Sequence, residues 1–388
     1  MTDRAKWYSW HSLLGLKLAL LSCFILITGT FAVVSHEIDW LTNSAMRVNI
    51  DSRQTVDWET IYASARRQFP TSRLQSLTIK PDPWFAAEAI YLDANDERFR
   101  GFFHPTTGQF QGVGRWFNWQ RFFRMTHRHL MMPLPIGITL VCLIGLFLFG
   151  SLISGTVIYK NWWKGFFRLP RTRNQKILWG DLHRLFGLWS TWLILVVCMT
   201  GIWYLIEQWG GRANYPTVVE AQGDSILFPD SERFSNMLVA LGQSRPEMTV
   251  SRIRMPTQYQ NSVVFEGQGD ELLVRDRANN LSFDALTGQL LSERDGDTLS
   301  LHSRISEAAD PLHFGYFGGL MTKIIYFIFG LMLSALAVTG TWIYALRVSR
   351  KRNPDKVKNI WLGMRAGRWI SIGILAVCIF NTVYLFRG

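Results

Sequence analysis

Hydrophobic and polar positions along this chain fall into long uniform blocks and short alternating ones. Leu13–Val34 is apolar on every face apart from Lys17, and Leu134–Tyr159, Leu185–Ile206 and Ile324–Leu346 carry no charge at all. Each run holds at least 22 residues. A helix needs about 20 to cross the hydrocarbon core of a bilayer, so the pattern predicts four transmembrane helices. Trp369–Phe386 adds 18 uncharged residues and is read as a fifth span. The apolar core of a cleaved signal peptide is only about 7–15 residues long, so the first run is expected to be a retained anchor.

Between these runs the period shortens. "VDWETIYASARRQF" (56–69) has helical periodicity, and three strand-like runs follow it: "LQSLTIKP" (74–81), "AAEAIYLDA" (86–94) and "FRGFFHPTTGQFQGV" (99–113). The same order returns as "RFSNMLVALGQ" (233–243), "VSRIRMPT" (250–257), "SVVFEGQG" (262–269) and "LSFDALTGQLLSE" (281–293). In both third runs Thr-Gly is a turn signal between alternating segments. Each set is predicted to be a small α+β unit, αβββ.

The apolar runs repeat as well. His11 precedes Thr28 of "LITGTF" by 17 residues, and His183 precedes Thr200 of "CMTGIWYL" by 17. The second and fourth runs close on "ISGTVIYK" (153–160) and "VTGTWIYAL" (338–346). The predicted fold is therefore an α-helical transmembrane bundle of four core spans plus a fifth, with two αβββ units outside it, built by tandem duplication. The boundaries are spans at 1–34, 127–160, 183–206, 313–346 and 369–388, α+β units at 35–126 and 207–312, and basic loops at 161–182 and 347–368. Glycine in each Ser/Thr-Gly pair lets a neighbouring helix, or a flat cofactor, approach closely.

Composition agrees: 48% of the 388 residues are hydrophobic, with 17 Trp and 26 Phe, which excludes an ordinary soluble enzyme. The net charge of +12 is concentrated in two short links. One holds Lys160, Lys164, Arg168, Arg171, Arg173 and Lys176 against Asp181; the other holds Arg347, Arg350, Lys351, Arg352, Lys356, Lys358, Arg365 and Arg368 against Asp355. By the positive-inside rule both links are cytoplasmic, as is the N-terminus with Arg4 and Lys6, and both α+β units lie outside. The basic charge thus reads as topology and contact with an anionic lipid bilayer. No nucleic-acid reading motif accompanies it. Cys23, Cys142, Cys198 and Cys378 all fall inside apolar runs with no CxxC pair, so they read as small apolar residues.

The candidate chemistry lies in the histidines. Duplication places His11 and His183 at equivalent ends of the first and third spans. His313 opens the fourth span 27 residues before Gly340; His127 and His129 precede Gly155 by 28 and 26, so spacing leaves either as its counterpart. The pattern His-x-x-Leu-x-Met in "HRHLMM", which echoes "HSLLGL", favours His127. Two imidazoles on facing helices fill both axial positions of a haem iron, an arrangement suited to electron transfer. His11 with His183 is read as an inner haem site, and His127 with His313 as an outer one. His129 and His36 are alternates, and Arg184 and Arg128 are candidate partners for propionates, since guanidinium binds carboxylate in a two-pronged fork. "GRWFNWQRFFR" (114–124) offers Arg115, Trp116, Trp119 and Arg121 as a substrate-lining set, and Glu37, Asp39 and Glu207 are candidates to hold released iron.

The His-x-x-Leu/Phe-Gly-Leu openings, the Thr-Gly spans, "LHFGYFGG" (312–319) and the paired αβββ units resemble the PepSY-associated transmembrane family, from about residue 7 to 346. Within it the chain is similar to FoxB-type inner-membrane siderophore reductases of Gram-negative bacteria. The resemblance implies two b haems carrying electrons from the cytoplasm to a ferric siderophore in the periplasm, where one-electron reduction gives a weakly held ferrous ion. With no GxGxxG in the chain, it implies a separate electron donor, a quinol or a flavin reductase. Two other readings stand beside it: a non-redox membrane-anchored binding or regulatory protein, and an iron or siderophore permease. No charged residue interrupts the middle of the four main spans, which weighs against the permease.

Overall fold

The computed structural model describes residues 3–49, 55–215, 226–349 and 354–387; Arg350, Lys351 and Arg352 of the second basic link lie outside them. The chain forms two compact units. A helical unit comprises Met1–Ser35, Trp119–Arg212 and Leu312–Gly388, and a sheet unit comprises His36–Asn118 and Ala213–Pro311. The helical unit begins with α1 (Asp3–Leu16) and α2 (Ala19–Val33). The sheet unit takes α3 (Ser35–Thr42), α4 (Trp58–Gln68) and strands β1 (Arg73–Thr78), β2 (Ala87–Leu92), β3 (Arg98–Phe103) and β4 (Phe110–Arg115). The chain then forms α5 (Trp119–His129), α6 (Leu134–Ile158), α7 (Gln175–Trp189) and α8 (Thr191–Gln208) of the helical unit. The second sheet segment follows as α9 (Ser231–Ser244), β5 (Thr249–Arg254), β6 (Ser262–Gln268), β7 (Asn279–Asp284), β8 (Leu290–Arg294) and α10 (Leu301–Phe314), whose last three residues, from Leu312, belong to the helical unit. Last come α11 (Gly319–Ser349), α12 (Lys356–Met364) and α13 (Ala366–Arg387).

Among the described residues four helices are long and apolar enough to cross a membrane: Leu134–Ile158, Thr191–Gln208, Gly319–Ser349 and Ala366–Phe386. The first apolar run differs from its prediction. It is not one helix: α1 and α2 qualify only as a pair bent by 64°. The break follows Leu16, where the one charge of the run needs a partner, and Lys17 donates its ammonium to the Gly363 carbonyl at 2.9 Å. Gly367 makes room for the bend, because a Cβ there would stand 1.9 Å from the Lys17 carbonyl oxygen. The run 185–206 likewise merges the end of α7 with α8, the two separated at Ser190. Small residues also let α2 and α11 approach closely: a Cβ on Gly330 of α11 would meet Thr30 Oγ1 of α2 at 2.8 Å, and that hydroxyl stands 3.3 Å from Ser334 Oγ.

The sheet also corrects the expectation of three strands per unit. Each third run is two strands, because the chain reverses at Gly108 and Gly288, both in the left-handed region at φ +63° and +76°. The two four-stranded sets then join as one antiparallel sheet, ordered β4-β3-β2-β1-β5-β6-β7-β8. The joint is short: Ser76, Leu77 and Thr78 of β1 face Arg254, Ile253 and Arg252 of β5. It removes two exposed strand edges that separate units would leave open to aggregation. Strand alternation turns Leu77, Ile253, Phe265 and Phe283 into the core, all fully buried with Ile61 and Phe234 from α4 and α9. Tyr62 and Phe234 stack at 4.1 Å between those helices. The Tyr62 hydroxyl donates to the Pro229 carbonyl at 2.7 Å, and burial pushes its pKa up to about 12.

A buried ion cluster ties α10 to the sheet. Glu307 is fully buried and accepts from Arg275 Nε at 2.7 Å, Arg277 Nη2 at 2.9 Å and the Tyr215 hydroxyl at 2.6 Å. Burial alone would push this carboxyl up; the hydrogen bonds from Arg275, Arg277 and Tyr215 pull it below the ordinary carboxylate range. A depressed folded pKa contributes stability that is full above the unfolded value of about 4.3 and is lost as pH falls through the folded value. Removing one partner of a buried ion pair costs about 3–5 kcal/mol. Glu307→Gln is therefore expected to lose that much at pH 7 and to show a flatter fall of stability below about pH 4. Urea unfolding of the two proteins at pH 7 and pH 3 checks this, and equal midpoints at pH 7 would refute it.

Candidate functional site

Four histidines of the helical unit form two facing pairs. The rings of His11 on α1 and His183 on α7 stand 6.2 Å apart, centre to centre. Those of His127 on α5 and His313 on α10 stand 5.9 Å apart. All four are half-buried.

Each ring is docked on a neighbouring helix, three on the hydroxyl of a Ser/Thr-Gly pair and the fourth on the Ile25 carbonyl. His11 Nδ1 stands 3.0 Å from Ser154 Oγ and 3.1 Å from the Ser151 carbonyl of α6. His183 Nδ1 stands 2.9 Å from Thr339 Oγ1 of α11. His313 Nδ1 stands 2.7 Å from Thr200 Oγ1 of α8, and His127 Nδ1 stands 2.9 Å from the Ile25 carbonyl of α2. The neighbouring glycine gives the ring its room in three cases. A Cβ would lie 2.6 Å from His127 at Gly29, 3.1 Å from His183 at Gly340 and 3.6 Å from His11 at Gly155. Gly201, in the fourth pair, has nothing within 4 Å of that position.

Two of these bonds fix the tautomer. A carbonyl only accepts, so Ile25 and Ser151 require a proton on Nδ1 of His127 and His11. Ser154, Thr339 and Thr200 each already donate their hydroxyl hydrogen to a carbonyl of their own helix, Gly150, Leu336 and Val196 respectively. In His11 and His127 Nδ1 therefore carries the hydrogen and Nε2 keeps its lone pair, the state of a metal-binding histidine with its outer hydrogen bond in place. His183 and His313 hold Nδ1 at hydrogen-bond distance from hydroxyls able to accept the same hydrogen.

The donor set fits haem. Metal–imidazole bonds of about 2.0–2.1 Å, with about 1 Å more from nitrogen to ring centre, put two imidazoles that clasp one metal about 6 Å apart. Both pairs meet that separation. Among the described residues no third His, Cys, Asp or Glu joins either pair as a metal-holding group. Two imidazoles with no third ligand suit a cofactor that brings its own equatorial nitrogens better than a tetrahedral ion, which needs four ligands.

The remaining sequence candidates are dispersed. His129 Nδ1 is spent on the Met132 carbonyl at 2.7 Å, inside the turn that links α5 to α6, so His127 is the residue facing His313. His36 belongs to the sheet unit, 3.4 Å from Lys80 Nζ. Arg184 pairs with Asp181 at 3.2 Å and donates to the Arg168 carbonyl, and Arg128 is exposed on α5. The substrate-lining set is divided: Arg115 and Trp116 belong to the sheet unit, Trp119 and Arg121 to the helical unit. Of the candidate iron-holding carboxylates, Asp39 is buried and accepts from Asn118, Glu37 lies beside it on α3, and Glu207 ends α8. Sequence reasoning singled out the glycines of the Ser/Thr-Gly pairs and missed the hydroxyls. The signal was present, since three of the four pairs carry the hydroxyl on which an imidazole docks.

The family model described as the PepSY-associated TM region matches residues 8–347, most of the chain. No curated protein matches it.

Proposed function

This chain belongs to the PepSY-associated transmembrane family, and we propose that it is a di-haem membrane protein that passes electrons to a ferric siderophore. The carrying observation is the two histidine pairs, each about 6 Å apart, with every Nδ1 held against a neighbouring helix. His11 and His183 hold one haem b, and His127 and His313 the other. A haem held by each pair would supply reversible one-electron chemistry. The protein's part is to dock the four imidazoles through Nδ1 and to keep them on four different helices, so that neither pair needs to rearrange.

Orientation follows from the basic links. Lys160 to Lys176 and Arg347 to Arg368 face the cytoplasm, which puts His11 and His183 near the cytoplasmic side and His127 and His313 near the periplasm of a bacterial inner membrane. The electron donor, a quinol or flavin reductase, meets the first pair. The sheet unit lies on the substrate side. Reduction of Fe(III) to Fe(II) there weakens its hold on hard oxygen ligands and releases the iron.

The visible spectrum of purified protein, expressed with ample porphyrin precursor, tests this reading. Two haems per chain and a low-spin b-type spectrum that sharpens on reduction are expected. A colourless preparation would refute it and return the chain to the non-redox binding or permease readings.

A further inference from the structure

We propose that the joint between the two halves of the sheet binds a small polycarboxylate anion, held by Arg98 and Arg252. A cleft of about 240 Å³ opens on the sheet face opposite α4 and α9, lined by Gln75, Arg98, Trp116, Arg252, Arg254 and Gln260 among others. It lies at one end of the β1–β5 ladder. Three residue pairs join the strands, the Met255 N–H donates once more to the Gln75 carbonyl at 2.9 Å, and the segment through Thr257 and Gln260 then rims the cleft beside Ser76 and Ser262. Those two hydroxyl residues are buried at 3% and 4% exposure and form a polar floor.

The lining is basic with no carboxylate in it. Arg254 is neutralised by Glu266 at 2.9 Å. Arg98 and Arg252 have no carboxylate at ion-pair distance among the described residues, and both are exposed to solvent. Arg98 is held ready. Its guanidinium lies over the Trp116 ring at 5.2 Å, and its Nε donates to Gln75 Oε1 at 3.1 Å. Gln75 is the extra residue of a bulge in β1, between Leu74 and Ser76, and bulges re-aim side chains in this way. A guanidinium stacked on an aromatic face keeps its in-plane donors for a carboxylate, which it binds as a fork. Arg98 and Arg252 both line the cleft, and two forks in one cleft select two carboxylates on one molecule. The volume is below the roughly 300–1,000 Å³ of drug-sized sites, so the ligand is compact.

Calorimetric titration of the full-length protein in detergent with citrate, in the absence of reductant, tests the proposal. Saturable binding that weakens with added salt is expected. Acetate, with one carboxylate, should bind at least about tenfold more weakly. Arg98→Ala with Arg252→Ala should lose at least about tenfold in affinity, and Arg252→Gln alone an intermediate amount. Arg67→Ala, on the opposite side of the sheet on α4, should change nothing. Absence of saturable binding, equal affinity for acetate, or unchanged affinity in folded arginine variants overturns the proposal. The heat is read without electron transfer and in pigmented or colourless protein alike, so this outcome is independent of the haem reading.

Discussion

Replacing His183 with alanine is expected to take the haem content of the protein from two per chain to one. Replacing His11 should remove the same haem, and the double variant should lose no more than either single one. That non-additivity is the mark of two residues that act on one group. His127→Ala and His313→Ala should behave as a second such set, and His11→Ala combined with His313→Ala should give colourless protein. The expectation rests on pairing between the two halves of the chain: the 6.2 Å and 5.9 Å pairs each join one histidine from the first half to one from the second. Loss of an outer hydrogen bond alone costs about 10–100-fold in metal affinity, so loss of the ligand should exceed about 100-fold in electron delivery. His129→Gln is the control, since the His129 ring is tied to the Met132 carbonyl. Pyridine haemochrome content and reduced-minus-oxidised spectra of each variant decide the matter. If His11→Ala and His183→Ala remove different haems, or leave both, the pairing is wrong.

The two facing histidine pairs were legible in the sequence because its two halves repeat their spacing. Seventeen residues from His11 to Thr28, and again from His183 to Thr200, mark the same helical ruler twice. The choice between His127 and His129 was not legible by spacing. Two residues are about 200° around a helix, and the ruler from Gly155 crosses a turn where Leu130 and Met131 both take left-handed φ, +54° and +55°. That turn breaks the phase between α5 and α6. The apolar runs predicted the spans by composition, but composition cannot report the 64° bend after Leu16, which depends on Lys17 meeting a carbonyl about 350 residues away. In the sheet, the Thr-Gly signals were seen while their strands were merged, so β4 and β8 went uncounted. The β1–β5 joint is invisible to any local pattern, since Leu77 and Ile253 meet only once both halves exist.

The glycines of the Ser/Thr-Gly pairs should rank the four docks by steric room. Gly29→Ala is expected to be the most damaging, because its methyl would stand 2.6 Å from the His127 ring. The α2 backbone cannot yield there, so the imidazole must leave the Ile25 carbonyl, and its Nε2 leaves its place opposite His313. The haem of that pair should be lost or become high-spin. Gly340→Ala, at 3.1 Å from His183, should shift the ring by a few tenths of an ångström and alter the potential of the other haem while leaving it bound. Gly155→Ala, at 3.6 Å from His11, makes an ordinary contact and should retain both haems. Gly201→Ala meets nothing within 4 Å, and alanine in a helix is worth about 1 kcal/mol over glycine, so this variant should keep its spectrum and melt no lower than the parent. Low-temperature spin-state spectra and redox titration of the four variants give the order. The sequence alone makes the four glycines equivalent. Only ring docking separates Gly29 from Gly201, so a flat series would mean that these glycines serve helix packing and not the histidines.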